Sequence, residues 1–453
     1  MSGVRIAPSA VRGLLPPPST VAALLLPPSV MEVETPGPPI VRAVGPGARG
    51  VAATLVVALA ACGEGGGPPV DPVSVRDSAG VRIVVHDASA PVPAQWTVAA
   101  EPTIRIGAVD DPDQQLSNVR GGRVLGDGRI VVADGGSASL RFFGPDGRFE
   151  GSVGAPGEGP GEFAGLRALA AAPGDSLYAY DSRLRRLSVF GPDGTYVRSF
   201  RLAVDGERGQ GVFAAAFDDG TILVQGFANA GGGEMPEGRY VPRSALYHYG
   251  STGELLDSVP VVREGDSYIE PVEFPGGMGI WFTTPLFAHG THVDAGPVLY
   301  VARTRGPSLE IRAPGGELRT RVRTRGLDLE VTPERTARQR EALLAAVEDE
   351  EERIRVRNAL DEMPVPDSMP AFAALAVDDA GRAWLRAFQP EGDEAPGPWR
   401  WTVYERDGVP VATAETPAGV RPLHIGRSSF LGLARDELDV EYVQLHALVK
   451  PGS

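Results

Sequence analysis

Two stretches of this chain repeat each other at a constant spacing, and that repeat limits the fold more than any other feature. Residues 126–134 read GDGRIVVAD and 139–152 read SLRFFGPDGRFEGS; residues 173–181 read PGDSLYAYD and 186–199 read RLSVFGPDGTYVRS. Asp134 and Asp181 are 47 positions apart, as are Gly144 and Gly191. Ile130 to Ala133 and Leu140 to Phe143 are short apolar runs of strand type, and Gly-Pro-Asp-Gly is turn chemistry: Pro presets φ and Gly accepts positive φ. Strand, turn, strand, turn, strand is an antiparallel meander. A period of 40–50 residues with several short strands per unit marks propeller blades.

Weaker copies follow at Asp219–Gln225 with Ala245–Glu254, Pro297–Ala302 with Leu309–Glu317, Asp379–Arg386 with Trp401–Gly408, and Ser428–Arg435 with Glu441–Leu448. The reading is an all-β, six-bladed β-propeller of four-stranded antiparallel meanders over residues 76–450. The sixth unit runs out one strand short at Lys450. The extended stretches Val81–His86, Trp96–Ala99 and Pro102–Gly107 are expected to supply the missing strand, which closes the ring and removes free sheet edges. Residues 333–361 break the pattern with good helix formers, and Thr332 or Pro333 suits a helix start. They predict a short helical insertion between blades 4 and 5, with a thin apolar stripe of Leu344, Val347 and Ile354. It serves either as a charged, solvated decoration or as a lid over one mouth of the channel.

Composition excludes several functions. With 43 Lys and Arg against 58 Asp and Glu, the net charge of −15 suits neither nucleic acid nor an anionic membrane surface. The 58 Gly and 42 Pro disfavour a helical protein, and one cysteine excludes a disulfide framework and cysteine-based metal clusters. That cysteine, Cys62, follows the apolar run Val51–Ala61, which suits the core of a secretory signal peptide. Leu59-Ala-Ala-Cys62 resembles the lipobox of bacterial lipoproteins, in which the cysteine is acylated. Residues 1–50, with ten prolines, read as a disordered or mis-assigned upstream segment, and 63–75 as a flexible tether. The expected location is the cell envelope, lipid-anchored at Cys62, at the outer membrane facing periplasm or exterior.

Gly154-Ala-Pro-Gly-Glu-Gly-Pro-Gly-Glu-Phe163 with its following strand resembles NHL-type repeats. It resembles especially the bacterial six-bladed propeller proteins, many of them lipoproteins, that carry G-x-G-P-G-E-F. The beginning at 77–84 (DSAGVRIV) and the end at 431–443 (LGLARDELDVEYV) look like the same group. The resemblance spans about 375 residues and implies a fold related to TolB-like propellers, but no reaction.

Asp134 and Asp181 recur with the repeat and read as turn-holding groups. Of the six histidines only His289 and His292 are close, and on a strand their i, i+3 spacing points them to opposite faces. The glycine-rich 154–161 stretch lacks a Gly-Lys-Ser/Thr end and reads as a crossover between blades. Arg120 and Arg167 fall just before the innermost strands of blades 1 and 2, and Trp281 with Phe282 leads into blade 4. Arginines ringing a channel mouth suit an acidic ligand. The ligand-binding candidates are therefore Arg120, Arg167, Trp281, His289 and His292. The leading expectation is a binding or interaction scaffold for an envelope protein, peptide or carbohydrate, with no catalytic set and no cofactor. The alternative is a hydrolase, lactonase or lyase with Ca²⁺ or Zn²⁺ in the channel.

Overall fold

The computed structural model describes residues 73–202, 210–227, 238–241, 243–274, 277–347, 349–390 and 397–451. The signal segment, Cys62 and the start of the tether lie outside them. The described chain is all-β, a six-bladed propeller. Blades 1 to 5 are four-stranded antiparallel meanders at 119–153, 166–201, 210–264, 291–325 and 372–416. Blade 6 has Arg421–Ile425, Ser429–Arg435 and Glu441–Val449, and its fourth strand is Ile104–Ile106 from the other end of the chain. The innermost strands touch in the order 1-2-3-4-5-6-1, so the ring is closed.

Residue alternation explains why the central strands read as unbroken apolar runs. In Ile130–Asp134, Ile130 and Val132 pack into the wedge between blades 6 and 1, while Val131 and Ala133 pack into the wedge between blades 1 and 2. In Leu177–Asp181, Leu177 and Ala179 face blade 1, and Tyr178 and Tyr180 face blade 3. Both faces of each strand are therefore buried, which removes the polar half of a period-2 pattern. Six such wedges, one per blade junction, make up the core, and each fully buried large apolar side chain contributes about 1.5–3 kcal/mol.

The Gly-Pro-Asp-Gly turns are also docking points. Gly147 closes its turn by donating to the Gly144 carbonyl at 2.9 Å, with φ +80°. A Cβ there would stand 2.6 Å from Ile104 Cγ2 of blade 6, and one on Gly194 would stand 3.0 Å from Val153 of blade 1. Each turn thus leans on the preceding blade where only glycine fits. The GAPGEGPGEF segment is the crossover from blade 1 to blade 2. Buried Phe163 anchors it, and the Arg186 guanidinium donates to the carbonyls of Glu158, Gly159 and Glu162.

The N-terminal segment does more than expected. Only Ile104–Ile106 completes blade 6. Val81–Asp87 instead adds in parallel to the outer strand of blade 4, and Ala94–Val98 adds in parallel to that of blade 5 before meeting Glu441–Val449 of blade 6. The segment is a belt around the rim of three blades. The tether also ends earlier than residue 75, because Val73–Ser78 is already a strand paired with Val81–Asp87.

The helical insertion lies between blades 4 and 5 as α1 (Pro333–Ala345) and α2 (Glu350–Glu362). Thr332 and Asp349 cap them by accepting from Arg335 N and Glu352 N. Of the expected stripe only Leu344 packs here: Val347 lies between the two helices and Ile354 is 46% exposed, whereas Ala359 and Leu360 are buried. The insertion packs on Tyr268, Leu286 and Phe287 of a second insertion, between blades 3 and 4, that the sequence did not announce. That connection supplies Ser267–Phe274 and Gly277–Thr283, which form a three-stranded sheet with Gly238–Tyr240 from between the second and third strands of blade 3.

Candidate functional site

An innermost strand begins at the face where the chain crosses from one blade to the next, and the basic side chains gather at that face. Arg120 and Arg167 lie inside the innermost strands Val119–Val124 and Leu166–Ala171, each the second residue of its strand rather than just before it. Both sit at register shifts. Val119 pairs with Asp134 and Gly121 with Ala133, which leaves Arg120 unpaired; Leu166 pairs with Asp181 and Ala168 with Tyr180, which leaves Arg167 unpaired. A bulge of this kind turns one side chain out of the ladder.

The aspartates opposite hold the crossovers in place. Asp134 accepts from Ser117 N at 3.1 Å, Gly136 N at 3.2 Å and Ser137 Oγ at 2.6 Å. Fully buried Asp181 accepts from Ala164 N, Gly165 N, Arg183 N and Leu184 N at 2.7–2.9 Å.

Arg421, the first residue of the innermost strand of blade 6, joins this pair, and sequence reasoning missed it. Burial and then the Arg167 charge push the Arg120 pKa down, with Arg421 and Arg435 adding to the effect and Glu441 opposing it. Burial also lowers Arg421, which Glu441 opposes and Arg435 and Arg167 reinforce. The water-exposed Arg421 side chain is nonetheless surrounded by protein, as a group in a channel mouth is. Glu441 is already committed: one oxygen accepts from Val119 N at 2.7 Å and the other from the Arg435 guanidinium at 2.6 Å. Among the described residues, the side chains of Arg120, Arg167 and Arg421 have no hydrogen bond or ion pair, and Arg120 Nε is buried without a partner.

A second basic group stands on blades 3 to 5. Arg263 donates to Gln225 Oε1, and Gln225 Nε2 donates to Ser244 Oγ at 2.6 Å. Arg386 lies 4.0 Å above the Trp399 ring, and burial lowers its pKa to about 10. His292, second in Thr291–Ala295, is pushed down to about 4 by burial and then by Arg263 and Arg386, so it is neutral at pH 7. Asp294 on the same strand accepts from Ala295 N at 2.8 Å and Val377 N at 2.9 Å, and burial raises its carboxyl to about 7. Blades 3 and 5 thus bring Arg263 and Arg386 close enough to His292 of blade 4 to depress its pKa.

His289 does not join His292. It is buried in the crossover before blade 4, with Nε2 at 2.9 Å from the Ser368 carbonyl and Nδ1 at 3.3 Å from Thr304 Oγ1, and it ties the two insertions together. Trp281 lies on Gly277–Thr283 of the insertion sheet, not in the approach to a blade strand, and its side chain is outside the described residues. Among the described residues, no three His, Cys, Asp or Glu side chains converge as a metal-binding set.

Fold and strand register together define a six-bladed propeller that carries Arg120, Arg167 and Arg421 on the innermost strands of three neighbouring blades. A family model, DUF5128, described as 6-bladed β-propeller, matches residues 115–213. No curated protein matches the chain. Among solved structures, a member of the DUF4221 family from Bacteroides vulgatus is 11% identical over 79% of this chain and 99% of its own, with a TM-score of 0.43. Regucalcin, a calcium-binding protein from Agrobacterium tumefaciens, is 12% identical over 78% of this chain and 96% of its own, with a TM-score of 0.35. Virginiamycin B lyase from Staphylococcus aureus is 10% identical over 78% and 99%, with a TM-score of 0.36.

Proposed function

We propose that this chain is a ligand-binding propeller of the cell envelope that takes an acidic ligand at the channel mouth of its crossover face. The observation that carries this reading is the pair of bulges that turn Arg120 and Arg167 out of their ladders, with no carboxylate of the described residues bonded to either. The Arg120 guanidinium, half-removed from water without a bonded counter-charge, is costly to hold there, and an anionic ligand relieves that cost. The ligand is an acidic peptide, protein or carbohydrate of the envelope. Cys62 carries the lipid that holds the protein to the outer membrane.

The test is a pull-down from the native envelope with the wild type and an Arg120→Ala/Arg167→Ala variant. A component captured by the first and lost with the second supports the reading; equal capture by both sinks it. Separately, Cys62→Ser is expected to move the protein from the membrane fraction to the soluble one. Unchanged membrane retention would count against the anchor.

A further inference from the structure

We propose that Arg120, Arg167 and Arg421 form a three-guanidinium clamp for a tetrahedral oxyanion carrying two negative charges, a phosphate or sulfate group, in place of a simple carboxylate. The inference rests on the reading of the mouth as an acidic-ligand site and names the group that docks there. Three observations carry it.

First, the three side chains come from innermost strands of three consecutive blades, 6, 1 and 2. Their backbones start from three different strands of the ring, so three forks that meet on one ligand would reach it from three directions. A carboxylate offers two oxygens in one plane and matches one guanidinium fork well. A tetrahedral oxyanion offers oxygens in three or four directions, which suits forks from separate strands.

Second, the charges are uncompensated. Glu441 is the acidic group in their field, and both of its oxygens are engaged by Val119 N and Arg435. A monoanion leaves two of the three cations unmet, and a dianion leaves one. Third, protein lowers the local dielectric around the mouth, as the depressed pKa values of Arg120 and Arg421 show, and this strengthens any charge-assisted bond made there.

The full chain, purified in detergent at pH 8, is titrated calorimetrically with inorganic phosphate, sulfate, acetate and chloride at matched ionic strength. Saturable binding of phosphate and sulfate, at least about ten-fold tighter than acetate, is expected. Arg421→Gln should weaken phosphate binding about ten-fold or more and Arg421→Lys by less, because lysine keeps the charge and loses the fork. Without anion, Arg421→Gln should unfold at the same or a higher temperature than the wild type, since it relieves repulsion; a merely structural arginine would lower it. Equal affinities for all four anions, or phosphate binding unchanged in Arg421→Gln, overturns the clamp. If an envelope component is still lost with Arg120→Ala/Arg167→Ala in that case, the acidic-ligand reading stands without the clamp. If neither variant alters any binding, both fail.

Discussion

Asp181 engages four backbone N–H groups with one buried carboxylate, so its loss leaves donors with no water to replace the acceptor. Asp181→Ala should destabilise the protein by about 3 kcal/mol, read as a lower urea midpoint with an unchanged slope. Asp294 gives a pH test. Its folded pKa of about 7 lies above the ordinary carboxyl value near 4, so between those limits the folded state holds a proton that the unfolded state has lost. Its contribution is therefore full below about pH 4 and is lost as pH rises toward 7. His292, depressed to about 4, tilts stability the other way between about pH 4 and 6.5. The difference between wild type and Asp294→Asn isolates the carboxyl: thermal midpoints measured from pH 4 to 8 should diverge, with the wild type losing ground as pH rises. At this scale the repeat made the aspartates and two arginines legible. It did not reveal where the arginines point, because a bulge belongs to the pairing of two strands and not to either sequence.

At the scale of elements, the second strands of blades 1 and 2 were readable because both faces are buried and the residues are apolar up to the closing aspartate. The innermost strands were not. Leu166–Ala171 and Arg421–Ile425 are mostly half-buried or exposed, and they carry arginine, alanine and proline rather than an apolar run. Arg421 was missed for that reason. The insertion sheet was missed because its strands come from two separate connections and pair only in space. The turns, by contrast, were announced residue by residue. Gly194→Val forces a β-branched side chain into φ +83° and within about 3 Å of Val153 and Phe142. It should cost about 2–3 kcal/mol in urea unfolding, whereas the same change at Gly397, where a Cβ meets nothing within 4 Å, should cost far less.

For the whole molecule, closure depends on three residues contributed from far away in sequence. Ile104–Ile106 pairs with Val443–Leu445, and the belt preceding it covers the outer strands of blades 4 and 5. Deleting 73–106 exposes three strand edges and leaves blade 6 with three strands, so unfolding should lose its single cooperative transition and the protein should self-associate, as seen by light scattering. The repeat period, the turn chemistry and the apolar strand runs determined the blades and their number without reference to any neighbour, because meanders are local and each strand pairs with the next. The belt, the bulged arginines, the joining of Arg421 to Arg120 and Arg167, and the packing of two insertions against each other were decided only by the closed ring. The belt and the joining of Arg421 depend on contacts between residues hundreds of positions apart, and the bulges and the packed insertions on strand register and packing that form only in space, none of which a local pattern encodes.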